Sequence, residues 1–502
     1  MELFISFSCF IIFLIIVTKL VRKTKPNLPP GPKALPLIGN LHQLNGPLPH
    51  RILADLAKQY GPLMHLRLGE VSTMIVSSAE YAKLVMNDHD VIFANRPYFL
   101  FSYVLNYKCQ DIAFAPHNNS WRILRKICNT ELLSAKRVQS FRPIREDETM
   151  SMIKTIASQK GSVINLTRMI YSLTYSIIAR SAFGKRSKYH DQYMVLMERI
   201  IKLMGGFSIV DLYPSVKILE RITGLKGKLE DIQKQVDEVL ESIMEEHRVK
   251  HADPSRRNHE ESEDLVDVML NIQRSGEYGD QLTNDNIKGA IYDVFSAGGE
   301  TSSKTVVWAM FEMMKKPEVL RKAQEEVRRV CGPQGNVDES HLRELKYVQA
   351  VIKETMRFRP SAPLLLPRES TERIVLNGYE IPAKSRVIIN AFALGRDPNH
   401  WTDPDTFNPD RFLDSDIDYK GKNFAYIPFG AGRRICPGIS FALPNMELPI
   451  AQLLYHFDWE LPGKMRPEDL DMSEIFGLTV GPRNDLNLVP TGTFQLSTLA
   501  AE

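Results

Sequence analysis

Apolar residues run almost unbroken from Leu3 to Val17, with Ser6, Ser8 and Cys9 as small interruptions, and the run can extend through Leu20-Val21. As a helix of about 19 residues it would reach about 28 Å, enough for a thin bilayer such as the endoplasmic reticulum. Glu2 precedes the run, and Lys19, Arg22, Lys23 and Lys25 follow it. A cleaved leader has the opposite order of charge, and the positive-inside rule leaves the rest of the chain in the cytosol. The pattern therefore predicts a single-pass membrane anchor over 1–21. Leu28-Pro29-Pro30-Gly31-Pro32 then excludes helix, so 22–35 reads as a basic, proline-rich spacer, with an ordinary loop as the alternative. No low-complexity segment divides the remaining chain, and 36–502 reads as one large unit.

Within that unit the period alternates. Leu48 to Tyr60 has helical spacing, whereas Leu63–Gly69 and Thr73–Val76 are short strand-like runs, so a helix followed by a hairpin is predicted. Regularity is lost from Asn95 to Pro116, where Pro97, Tyr98, Phe99, Phe101, Tyr103 and Phe114 make an aromatic-rich loop that serves either specificity or packing. From 145 to 250 the period is helical, broken near Gly205-Gly206 and Tyr213-Pro214, which predicts a pair of helices with an apolar connecting region. Lys250 to Asp264 is dense in charge and reads as a solvated loop. A long helix is predicted from just after Thr283 to about Lys316, before Pro317. Ile374–Leu376 and Arg386–Asn390 have strand character and predict a minor sheet. Leu364-Leu365-Leu366 and the apolar turn Ile475–Val480 either line a shared cavity or pack the core. The fold class expected is mainly α with small β-sheets.

Composition changes this picture little. Apolar residues make up 43% and charged residues 25% of the 502, ordinary for a globular chain with ample core. The formal charge of +3 gives no case for nucleic acid. Cys9, Cys109, Cys128, Cys331 and Cys436 are odd in number and far apart, without a C-x-x-C pair, which fits a reducing compartment.

Chemistry concentrates in Pro428-Phe429-Gly430-Ala431-Gly432-Arg433-Arg434-Ile435-Cys436-Pro437-Gly438. A thiolate binds metal and is favoured by nearby positive charge and backbone N–H groups. The three glycines let the backbone turn closely around a bulky planar group. Arg434 suits an anionic substituent, and Pro437 suits the first turn of a helix whose dipole favours negative sulfur. Trp121 and Arg125 fall one helical turn apart, so one indole N–H and one guanidinium stand on the same face. The middle of the long helix, Ala297-Gly298-Gly299-Glu300-Thr301, carries paired glycines that cost about 2 kcal/mol relative to alanine. Either a widened turn beside a flat cofactor or a close helix contact offsets that penalty. Glu300 and Thr301 supply an acid and a hydroxyl that can pass protons.

The run Phe429-x-x-Gly432-x-Arg434-x-Cys436-x-Gly438 resembles the haem-binding loop of the cytochrome P-450 family, whose iron carries an axial cysteine thiolate. The likeness extends from the anchor to the last apolar loop and is nearest to plant microsomal members that oxidise terpenoids. It implies haem b with Cys436 as the iron ligand, Phe429 and Gly430 in the loop around it, and Arg434 near it. Trp121 and Arg125 match the family's W-x-x-x-R element for a haem propionate, and Arg368 matches another propionate position. Ala297, Gly298, Glu300 and Thr301 match the oxygen-activation motif, with glutamate where many relatives have aspartate. Glu354 and Arg357 match the E-x-x-R helix, and Arg411 completes its triad in a structural role.

The implied reaction is monooxygenation of a lipophilic small molecule, a sesquiterpene or diterpene before an alkaloid or phenolic. A reductase-independent isomerase or dehydratase, or a haem sensor, are the competing readings. Expected substrate contacts are Tyr98–Tyr103, Val294, Phe295, Ala297, Ala362–Leu366 and Phe476–Thr479. No G-x-G-x-x-G follows a strand, so NADPH electrons are expected through a cytochrome P-450 reductase at the endoplasmic reticulum, with cytochrome b5 as a second donor and membrane lipid around the anchor. Arg122, Lys126, Lys136, Arg137 and Arg433 are the expected reductase-docking residues.

Overall fold

Thr283 starts the longest helix among the described residues, Asn284–Lys315. Its hydroxyl accepts the Asn286 N–H while the Asn286 side chain accepts the Thr283 N–H, a reciprocal cap that satisfies two otherwise orphaned donors. The helix stops at Lys316, before Pro317, as the sequence predicts. It is apolar on most sides, with Ile287, Tyr292, Phe295, Val306, Trp308, Met310 and Phe311 buried. Such a helix belongs in the middle of a core. Helices Leu166–Phe183, Lys346–Phe358 and Ile439–His456 pack along it.

The structure, a computed structural model, describes residues 26–184, 195–197, 199–200, 208–252, 263–332, 337–463 and 465–493. The expected anchor over 1–21 lies outside them. No helix among the described residues is long and apolar enough to cross a membrane.

The sheets are small, as expected, but one is assembled differently. Leu63–Leu68 and Val71–Val76 form the predicted hairpin, and Arg386–Ile389 joins the second strand in parallel, from Thr73 opposite Arg386 to Val76 opposite Ile389. Arg368–Glu369 closes the other edge. Arg386–Ile389 is therefore not part of a minor sheet with Ile374–Leu376, which instead pairs with Tyr379–Ile381. All four residues of Arg386–Ile389 are buried, and a strand covered on both faces needs a central place in a larger sheet. Near the end, Glu474–Phe476 and Val480–Pro482 form a hairpin around the apolar turn.

Three further expectations are corrected. The aromatic stretch contains a helix, Leu100–Leu105, that turns Phe99 and Phe101 inward against Phe114 and leaves Tyr98 and Tyr103 outside, 5.5 Å apart and touching. Both tyrosines are exposed. The 145–250 region holds more breaks than one pair of helices: Arg142–Ala157, Leu166–Phe183, Ile209–Leu212, Leu219–Ile222 and Leu225–Ala252, while Gly205-Gly206 lies outside the described residues. Asp264, expected to be solvated, is buried and caps helix Leu265–Ser275.

Candidate haem site

The Cys436 loop is held first by its own backbone. Cys436 N–H donates to the Phe429 carbonyl at 2.9 Å, and Gly430 N–H to Ile427 at 2.9 Å. Gly430 and Gly432 have φ of 71° and 68°, a region that L side chains disfavour. A Cβ on Gly432 would stand 2.0 Å from the Met86 carbonyl oxygen, so this position also permits the loop to close on the turn Leu84–Asp88. Sγ of Cys436 is half-buried and accepts the Gly438 N–H at 3.3 Å. Burial pushes the thiol pKa up, while the Gly438 N–H and the Arg125 charge pull it down and favour the thiolate. Helix Ile439–His456 begins after Gly438, so Pro437 precedes its first turn instead of standing in it.

Four arginines converge above the loop. Arg434 donates to the carbonyls of Ala94 (2.8 Å), Ile112 (3.3 Å) and Ala115, and its guanidinium lies 4.1 Å from the centre of the Trp121 ring. Arg368 donates to the Ala431 carbonyl at 2.8 Å and pairs with Asp90 at 3.2 Å. Arg125 donates to the Ile435 carbonyl. Arg96, which the sequence pattern did not single out, reaches Ala113, Leu366 and Pro367. Its signal is an arginine directly before Pro97 and the aromatic run Tyr98–Tyr103. The Trp121 N–H donates to the Ile112 carbonyl at 3.0 Å, so in this structure the Trp121 and Arg125 donors meet backbone oxygens on separate segments.

This concentration of charge tests whether haem fits. Burial, then the neighbouring Arg368, lowers the Arg434 pKa to about 9, and burial plus Arg434 and Arg368 holds Arg96 well below its usual range. The facing carboxyls are Asp90 and Asp111, and burial raises Asp111 to about 6. The cluster thus carries surplus buried positive charge, which the carboxylates of a dianionic porphyrin would neutralise. Val294, Ala297 and Thr301 form a stripe along the long helix where accessibility returns amid a buried run. A cysteine whose sulfur takes a backbone N–H, a cluster of buried cations short of carboxylates, and such a stripe are together residues that fit haem.

Within the stripe, the Thr301 hydroxyl donates to the Ala297 carbonyl at 2.8 Å. Glu300 points elsewhere. Its carboxylate pairs with Lys304 at 2.5 Å and accepts the Thr479 hydroxyl at 3.2 Å. The paired glycines serve close packing: a Cβ on Gly298 would meet Ile178 at 3.0 Å, and one on Gly299 would meet the Tyr175 ring at 2.6 Å. The helix runs through 297–301 without a widened turn, so the helix contact accounts for the glycines. Behind the loop, Arg357 grips Glu354 through two hydrogen bonds, and Arg411 adds a third at 3.2 Å, forming the expected triad.

The family model described as Cytochrome P450 matches residues 29–487. The chain belongs to the cytochrome P450 family. It is similar to tabersonine 6,7-epoxidase isoform 1 of Catharanthus roseus, 52% identical with 98% of each chain covered. It is similar also to tabersonine 16-hydroxylase 1 of the same plant, 51% identical over 96% of this chain and 97% of the other. Among solved structures, a zebra fish cytochrome P450 with abiraterone superposes with a TM-score of 0.76 at 25% identity, covering 89% of this chain and 99% of that one. The protein is accordingly a P-450 monooxygenase with haem b as cofactor, supplied with NADPH electrons through a reductase. Its substrates are specialised metabolites, but the expectation of a terpenoid gains no support: both plant relatives are named for tabersonine, an alkaloid.

Proposed function

We propose that the protein hydroxylates or epoxidises a lipophilic alkaloid. The observation that carries this reading is near full-length identity above half with two tabersonine oxidases. The half-buried Val294, the Ala297 stripe and the half-buried Leu366, Phe476 and Leu478 support a largely hydrocarbon environment for such a substrate.

Haem held through a thiolate supplies O–O cleavage, placing one oxygen atom in the substrate and releasing the other as water. The chain's own residues do the rest. Cys436 would hold the iron, with its charge stabilised by the Gly438 N–H and Arg125. Arg434, Arg368, Arg125 and Arg96 would anchor the propionates. Phe429 and Gly430 would shape one face of the cofactor site and Ala297 the other, with Gly298, the expected neighbour of Ala297 there, directed at Ile178. The Thr301 hydroxyl would hold a proton where oxygen binds, and Glu300 would assist once freed from Lys304.

The apolar run over 1–21 supports a single-pass anchor in the endoplasmic reticulum membrane, with 22–35 as spacer and 36–502 as the cytosolic catalytic unit. Exposed Arg122, Lys126, Lys136 and Arg433 remain the candidates for reductase docking, with cytochrome b5 as a second donor. Arg137, also expected in that surface, pairs with Glu263 at 3.2 Å, as Arg433 pairs with Asp90 at 3.4 Å and Lys126 with Glu277 at 3.9 Å.

Microsomes containing this protein, a reductase and NADPH, offered alkaloids and terpene hydrocarbons in parallel, test the reading by mass spectrometry. Gain of one oxygen atom by an alkaloid, coupled to NADPH consumption, is the expected result. Turnover confined to terpenes would overturn the substrate class, and product formation without NADPH would favour the isomerase reading.

A further inference from the structure

Lys304 is buried in the long helix, in the stretch just past Thr301. It stands one turn beyond Glu300 and is buried along with both partners. Its Nζ lies 2.5 Å from Glu300 Oε1 and donates to the Thr479 hydroxyl at 2.6 Å, with the Thr479 carbonyl at 3.4 Å. The Thr479 hydroxyl donates its own proton to Glu300 Oε1 at 3.2 Å. The three groups close a ring of charge-assisted hydrogen bonds, the strong kind in a low-dielectric interior. The apolar stem is fitted as closely. A Cβ on Gly481 would stand 2.8 Å from Lys304 Cε and 3.1 Å from Cδ, so the second strand of the hairpin lies directly on the lysine.

This ring is one of two holds on the turn end of the hairpin, the other being a backbone bond from Val480 to Ser361. At the base, Glu474 accepts from Arg51 at 2.9 Å and from Arg359 at 2.7 Å. Between base and Thr479 come Phe476, Gly477 and Leu478, all half-buried. Val480 N–H reaches the Ser361 carbonyl at 2.8 Å, next to the segment 362–366.

We propose that Lys304 is a positioning residue that fixes the Phe476–Val480 turn against the long helix and thereby sets which carbon of the substrate meets the oxidising centre. This rests on the proposed function, in which Phe476 and Leu478 face the substrate. The same bond holds the Glu300 carboxylate toward the hairpin, away from the Thr301 side of the helix, so Lys304 governs two walls of one site at once.

The test compares the haem-loaded parent with Thr479→Val and with the charge-neutral pair Lys304→Met/Glu300→Gln. Folding and haem loading are read from the red-shifted Soret band of the ferrous carbonyl complex. Backbone hydrogen exchange over 474–482 reads the anchor, and the distribution of oxygenated products reads its consequence. Both variants should keep the band, exchange about tenfold faster at 477–480, as loss of ~1.4 kcal/mol of local stability gives, and spread oxidation over additional positions. Unchanged exchange in both variants would overturn the anchor. Faster exchange with an unaltered product distribution would overturn the positioning role. Absence of the carbonyl band in the parent would instead indict the haem reading, and so stands apart from either result.

Discussion

Arg357 and Glu354, one helical turn apart and both fully buried, meet through paired hydrogen bonds of 2.6 and 2.7 Å. The pair is a knot more than a bridge. Arg357 also donates to the carbonyls of Gly395, Pro404 (2.8 Å) and Thr406 (3.1 Å), and Glu354 also accepts the Asn408 N–H at 2.7 Å. It ties helix Lys346–Phe358 to the segment 395–411 that leads into the cysteine loop. Glu354→Gln leaves a buried guanidinium without its counter-ion, at a cost of about 3–5 kcal/mol, a large part of the stability of an ordinary domain. Low yield of haem-loaded protein, measured as carbonyl-band absorbance per mole of chain, is the expected outcome, and Arg357→Lys should behave similarly because one ammonium cannot replace the fork.

Arg434 should matter to cofactor retention more than to folding. Replacing it with Met keeps much of its stem against Trp121 while removing one buried charge from a crowded set. The expected result is a lower haem-to-protein ratio after gel filtration, with a smaller effect on the thermal midpoint of the haem-free chain, because relief of buried positive charge offsets part of the hydrogen bonds lost by the Ala94, Ile112 and Ala115 carbonyls. A variant that retained haem as well as the parent would exclude Arg434 from propionate binding.

Thr301→Ala should uncouple NADPH consumption from product, with hydrogen peroxide rising in proportion, while Thr301→Ser keeps the coupling. The Ala297 carbonyl loses a hydrogen bond worth about 1 kcal/mol, so stability should change little. Peroxide yield per NADPH equal to that of the parent would exclude the hydroxyl from proton delivery.

A pH effect is expected far from the haem. Burial lowers the His247 pKa, but the 2.8 Å contact with Asp264, its charge, the Ile243 carbonyl and Asp267 outweigh it, and the net direction is above 6.5. A group raised by folding stabilises fully below its unfolded value and loses that contribution as pH climbs through the folded one. Thermal stability of the parent should therefore fall as pH rises above 6.5, and His247→Gln should flatten that slope. An equal slope in both would exclude His247 as its source.

Local rules made much of this legible from sequence. The long helix was bounded correctly because Thr283 and Pro317 act within a few residues of its ends, and the 63–76 hairpin came from its alternating period. The cysteine loop and the E-x-x-R triad are readable through their resemblance to the family's motifs. What escaped depends on distant partners. Gly298 and Gly299 announce a close approach without naming Ile178 or Tyr175, more than a hundred positions earlier. Lys304 looks like an error in an apolar helix until Thr479 is placed beside it. Arg386–Ile389 is too short to declare which sheet it joins, and only burial on both faces settles that.

The stretch Tyr107-Lys108-Cys109 takes three successive left-handed backbone steps, with φ of 51°, 59° and 59°, at about 1–2 kcal/mol each for residues bearing a Cβ. Immediately beside it, Asn106 donates to both Asp111 at 2.6 Å and Asp293 at 3.1 Å, and Asp293 also takes the N–H groups of Ile112 and Ala113. The corner is thus a strained turn tied to the long helix through Asp293, whose loss would leave the Ile112 and Ala113 N–H groups without an acceptor and the strain at 107–109 uncompensated.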